Sequence, residues 1–142
     1  MKTYIDTSVL VSLHLHDSNY AASGNLMQTA RGAIWTPWQK VEFGNAMRAR
    51  IHRGDITLAD FKVIETNIRR TLQAGDLHWH PLSAHVLWHE AEKLSIAHTP
   101  ALGVRTLDLL HVAAASVLRA THFYTFDTRQ HALARAAGLQ IN

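Results

Sequence analysis

Apolar positions fall in short runs and helical stripes that alternate along the chain. Tyr4-Ile5 is a short run ending at Asp6, the pattern of a buried strand that stops at a polar residue. Val9 to His14 reads as the start of a helix with Thr7 or Ser8 as its cap. Asp17-Ser18-Asn19 opens a second helical stretch, weakened by Gly24 and closed by Gly32. Ala33 to Thr36, with Pro37 behind it, predicts a second buried strand, and Val41, Met47 and Ile51 then recur at helical spacing between Trp38 and Arg53. Thr57, with Asp60 three residues on, predicts a capped helix whose stripe is Leu58, Phe61, Ile64, Ile68 and Leu72. Leu77 to Leu82, interrupted by Pro81, reads as an edge strand. Ser83 is the expected cap of a helix ending before Thr99-Pro100, because the residue before a proline leaves the helical region. Thr106 is the expected cap of the most apolar helix, Leu107 to Ala120, and the run Ala113-Ala114-Ala115 lets it pack closely at the centre. His122 to Phe126 is a strand, Thr128 to Ala137 a helix and Leu139 to Ile141 a last short strand. Strands separated by one or two helices imply an α/β fold, a parallel sheet with helices on both faces.

Composition narrows this picture. At 142 residues the chain fits one domain, residues 1–142, able to bury roughly 68% of the surface its unfolded form exposes. No apolar run approaches the roughly 20 residues of a membrane span. The amino terminus enters a strand with no basic segment or apolar leader before it, so a cytoplasmic location is expected. The absence of cysteine removes disulfides, thiolate zinc sites and thiol nucleophiles together. The formal net charge of +3 is modest. Carboxylates gathered in one cleft would leave the remaining surface more basic than that total, which suits a polyanionic partner.

Four acids stand where strands end or helices begin. Asp6 and Asp127 end strands, Asp108 opens a helix, and Glu42 lies in the first turns of another. In a doubly wound sheet all four positions belong to the edge at the carboxyl ends of the strands, where ligands bind. Four carboxylates in one crevice would repel one another, so the arrangement makes sense with a hard divalent cation, Mg²⁺ or Mn²⁺. The matching chemistry is metal-assisted hydrolysis of a phosphodiester. The alternative reading for Asp6 and Asp108 is simple helix capping.

The segments YIDTSVL, VEFGNAMR, RTLDLLHVAAA and FYTFDTRQHALARAAGL resemble the PIN domain, in particular the VapC-type toxins of bacterial toxin–antitoxin pairs, over nearly the whole chain. The resemblance implies a single PIN-like domain and an endoribonuclease dependent on Mg²⁺ or Mn²⁺. It also implies a small antitoxin as inhibitor and a homodimer. Asp6, Glu42, Asp108 and Asp127 take the places of the four family acids, and Ser8 is the hydroxyl that accompanies the first. Some relatives carry a further acid after the fourth; here Thr128-Arg129-Gln130-His131 follow.

Other residues enter with less weight. His111, one turn beyond Asp108, reaches the same cleft as a donor to the metal-bound acids or to a phosphate, or else is satisfied inside the core. Arg48, Arg50 and Arg53, with Arg69 and Arg70, offer a basic margin for RNA, against the alternative of a solvated helix face. Trp35 and Trp38 are expected in the core rather than stacked on bases. The pairs His14 and His16, His78 and His80, and His85 and His89 lack a third zinc ligand. Two other functions compete: a non-catalytic PIN module that binds RNA or a partner, and a phosphatase using Asp6 as nucleophile. The second wants another Asp where Ser8 stands.

Overall fold

The computed structural model describes residues 1–142. In chain order the elements are β1 (Thr3–Ile5), α1 (Thr7–Leu15), α2 (Tyr20–Thr29), β2 (Ala33–Trp35), α3 (Pro37–Arg53), α4 (Leu58–Ala74), β3 (Leu77–Trp79), α5 (Ala84–Leu102), α6 (Thr106–Val117), β4 (His122–Tyr124), α7 (Thr128–Ala136) and β5 (Gln140–Ile141). The strands form one parallel sheet in the order β3-β2-β1-β4-β5. Successive strands run outward from β1 to one edge through β2 and β3, and the chain then returns to place β4 on the other side of β1. The order therefore reverses between β1 and β4, and the crevice beyond their carboxyl ends is the switch point where doubly wound sheets bind ligands.

Strand alternation divides the core in two. Tyr4, Ile34 and Phe123 face one side and pack with Leu87, Leu110 and Leu133 of α5, α6 and α7. Ile5, Trp35, Leu77 and Tyr124 face the other and pack with Leu10, Phe43, Met47 and Phe61 of α1, α3 and α4. The result is the expected α/β/α arrangement, with β3 at an edge. The Tyr4 and Phe123 rings stack across the β1–β4 pair at 5.4 Å. No helix is long and apolar enough to cross a membrane.

Several local expectations need correction. The cap of α1 is Asp6, whose carboxylate accepts from the Ser8 amide, rather than Thr7 or Ser8. The carboxylate at the strand end already faces the first orphan amides, so the hydroxyls are not needed there. Arg105, not Thr106, is the cap residue of α6, which ends at Val117. Helix α5 does not stop before Pro100 but runs through it to Leu102. A proline inside a helix strands the carbonyl four residues earlier, here that of Ile96. Both Ile96 and Pro100 are on the exposed side, where water can take the missing donor's place. Strand β3 ends at Trp79, well short of Leu82.

Candidate metal centre

Three chain segments meet beyond β1. Asp6 follows the last residue of β1, and its amide donates to the Tyr124 carbonyl of β4 at 2.8 Å, which sets it between the two central strands. Its carboxylate is almost fully buried and rich in donors. Oδ2 accepts from the Ser8 amide at 3.3 Å, from the Ser8 hydroxyl, and from the Thr125 hydroxyl at 3.4 Å, while Oδ1 accepts from Gln130 Nε2 at 3.3 Å.

Glu42 comes from α3, in the helical layer opposite α6. The start of α3 is fixed by a capping box in which Thr36 and Gln39 satisfy each other's backbone. Gln39 is fully buried and its Nε2 donates to the Ile5 carbonyl at 2.7 Å and to the Ile34 carbonyl at 3.2 Å. That side chain ties the helix to the carboxyl ends of β1 and β2, and Glu42 follows one turn later.

His111, from α6, joins the two layers. Its Nε2 lies 2.6 Å from Glu42 Oε2 and 3.5 Å from Asp6 Oδ1, and its Nδ1 lies 2.9 Å from the Tyr4 hydroxyl. Burial, with the charges of Asp6 and Glu42 beside it, raises the Tyr4 pKa well above its ordinary value. The hydroxyl therefore stays protonated. A carboxylate only accepts, so Nε2 carries the hydrogen toward Glu42, and in a neutral ring Nδ1 then accepts from the Tyr4 hydroxyl. Burial works against ionisation of Glu42, but His111, with a smaller contribution from the Thr7 hydroxyl, outweighs it and holds the carboxyl below its usual value. Ligand atoms of Asp6, Glu42 and His111 lie within 4.8 Å of one another.

Asp108, in the first turn of α6, is equally buried. Its Oδ1 accepts from the same Gln130 Nε2 at 3.3 Å, so one amide nitrogen bridges Asp6 and Asp108. Its Oδ2 accepts from Arg105 Nε at 2.9 Å. Asp127 stands at the rim. Its Oδ1 caps α7 by accepting from the amides of Arg129 and Gln130, and its Oδ2 accepts from Arg105 at 3.2 Å. The Arg105 side chain is 61% exposed, and the Asp108 hydrogen bond raises its pKa further.

The structure thus brings Asp6, Glu42 and His111 into contact range, joins Asp108 to Asp6 through Gln130, and leaves Asp127 one arginine away. Ser8 braces Asp6. The arginines of α3 are engaged elsewhere: the Arg48 guanidinium lies 5.3 Å from the centre of the Phe61 ring, and Arg50 and Arg53 pair with Asp55. Trp35 is buried, and Trp38 packs edge-on against the His111 ring at 5.9 Å. Sequence reading missed Gln130, Arg105, Thr125 and Tyr4. Only the position of Arg105, three residues before Asp108, gave a signal, through the i,i+3 spacing of an ion pair.

The donor set fits a hard divalent cation. Asp6, Glu42 and Asp108 offer carboxylate oxygens with no competing thiolate. Asp6 holds its buried charge on neutral hydrogen bonds, and one buried oxygen of the cluster, Gln130 Oε1, has no donor at all.

A family model described as PIN domain matches residues 3–136. Among solved structures, the crystal structure of VapBC2 from Rickettsia felis bound to a DNA fragment from their promoter is similar to the chain, with a TM-score of 0.66 at 14% sequence identity. The match covers 100% of this chain and 98% of that one. A comparison with curated proteins finds no match.

Proposed function

The chain belongs to the PIN domain family, and on that premise we propose that it is a metal-dependent endoribonuclease, the toxin of a VapC-type toxin–antitoxin pair. The observation that carries the reading is the meeting of Asp6, Glu42, Asp108 and His111, from three distant segments, at the switch point between β1 and β4. Asp6, Glu42 and Asp108 would hold Mg²⁺ or Mn²⁺, with Asp127 at the margin. Such an ion supplies Lewis acidity, lowering the pKa of water and stabilising charge on phosphate oxygens.

The chain's own residues do the rest. Ser8, Thr125 and Gln130 fix the Asp6 carboxylate, and the Tyr4–His111 pair fixes the orientation of Glu42. Arg105 is exposed at the mouth and bonded to two acids whose charge a cation would share. It is the guanidinium placed to take a phosphate of RNA. The net charge of +3, with these acids withdrawn into one cleft, leaves a basic exterior for the strand.

An antitoxin has a surface to use. A groove of about 820 Å³ runs between α3 and α4 past Phe43, Phe61 and Trp79, and it shares α3 with Glu42. A partner helix laid there could send an Arg or Lys into the acids, displacing metal and blocking RNA together. The phosphatase reading gains nothing, because Ser8 stands where it wants a second Asp and its hydroxyl bonds the Asp6 carboxylate.

The test is RNA cleavage by the purified, partner-free chain and its Asp108→Asn variant. The variant should lose activity by at least about 100-fold while keeping the wild-type circular dichroism spectrum. Equal cleavage by a folded variant would remove Asp108 from the chemistry.

A further inference from the structure

We propose that Gln130 is itself a ligand of the divalent cation, through its side-chain oxygen, and that in the metal-free chain its amide nitrogen holds the cation's place. The inference rests on the metal-dependent reading above and adds a neutral ligand to the acids.

Gln130 is 2% exposed and sits in the first turn of α7, where its backbone amide donates to Asp127 Oδ1 at 3.0 Å. Its backbone is therefore fixed, and only the side chain has freedom. Nε2 donates to Asp6 Oδ1 and to Asp108 Oδ1, both at 3.3 Å, so a partially positive N–H group lies where two carboxylates need positive charge. Oε1 is buried with no hydrogen-bond partner. Buried amide oxygens nearly always find a donor, and ionised carboxylates offer none. In the orientation seen the nitrogen faces the two carboxylates, and no protein donor holds the oxygen against turning toward a cation between them.

A half-turn about the last side-chain bond exchanges the two amide atoms. With a cation between Asp6 and Asp108, an N–H pointing at it is repelled and the carbonyl oxygen is attracted. Neutral amide oxygens are ordinary ligands of hard divalent ions beside carboxylates. The same side chain then serves both states: the nitrogen relieves repulsion between Asp6 and Asp108 when the ion is absent, and the oxygen completes the shell when it is present. A leucine or methionine would fill the space as well but could do neither.

The experiment is a calorimetric Mn²⁺ titration, without RNA, of the wild type, Gln130→Glu and Gln130→Met, together with melting temperatures in excess chelator. Glutamate places an anionic oxygen where the amide oxygen would bind, so Q130E should bind Mn²⁺ at least about tenfold tighter. It should also melt lower than the wild type in chelator, because a further carboxylate then faces Asp6 and Asp108. Q130M, of similar length and without oxygen, should bind at least about tenfold more weakly. Mn²⁺ affinity of Q130E at or below that of the wild type overturns the ligand assignment and leaves Gln130 a cross-link between carboxylates. Should Q130E fail to fold in chelator, Q130M decides, and unchanged affinity there overturns the assignment equally. A wild type that binds no Mn²⁺ overturns the metal-dependent reading, and this ligand with it.

Discussion

Asp6 does two things with one carboxylate. It caps α1 through the Ser8 amide and turns its other oxygen toward Gln130 and His111. The sequence presents capping and cleft chemistry as rivals, whereas the strand-end position allows both, since a carboxylate has four lone-pair sites. Asp127 repeats the pattern with α7 and Arg105. The acids themselves were legible because strand ends and helix starts are local signals. Their neutral partners were not, because nothing local marks Gln130 as facing Asp6 or Tyr4 as facing His111, each more than a hundred residues away along the chain. Glu42 makes the most direct prediction at this scale. Its folded pKa lies below its unfolded value, near the ordinary 4.5. The unfolded chain therefore binds the proton more readily, and the stabilisation is complete above that value and is lost as pH falls through it toward the folded pKa. Urea unfolding of metal-free protein between about pH 7 and about pH 3.5 should show the wild type losing stability on the acid side more steeply than Glu42→Gln, which has no proton to gain. Parallel curves would mean that the His111 contact contributes nothing to the ionised form.

Among the elements, α3 ties the fold to the site most closely. Its first turn is held by Thr36 and Gln39, and Gln39 also bonds the carbonyl of Ile5 at the end of β1 and that of Ile34 within β2. The apolar spacing placed the helix within a residue or so at each end, but its cap, Thr36, was read as the end of the preceding strand. The anchoring role of Gln39 was hidden, since a glutamine three residues after a threonine reads only as half of a capping box. Gln39→Leu leaves both carbonyls buried without this donor and opens the box, so it should cost about 3 kcal/mol, roughly 10 °C in Tm. A loss below about 1 kcal/mol in chemical unfolding would show that Gln39 is not the tie between α3 and the sheet. Helix α5 shows the opposite case. Its continuation through Pro100 depends on which side of the helix meets water, and a proline rule applied to sequence alone cannot see that.

At the scale of the whole molecule, the site exists only because two helical layers close over one end of the sheet. Glu42 arrives from one layer and His111 from the other, and both reach the residue that ends β1. Alternation of strands and helices made the parallel sheet and the edge that gathers the acids readable in the sequence, because each βα unit leaves its own hydrophobic signature. The closure itself, and the path of Arg105 across Asp108 and Asp127, depend on long-range packing that no short segment encodes. The central claim, that these carboxylates act through a divalent ion on RNA, is tested most directly by following cleavage of a defined RNA by the partner-free chain. The reaction is run in excess chelator, and then after Mg²⁺ or Mn²⁺ is restored. The account predicts no internal cleavage in chelator and recovery with either ion; full cleavage in excess chelator would contradict it.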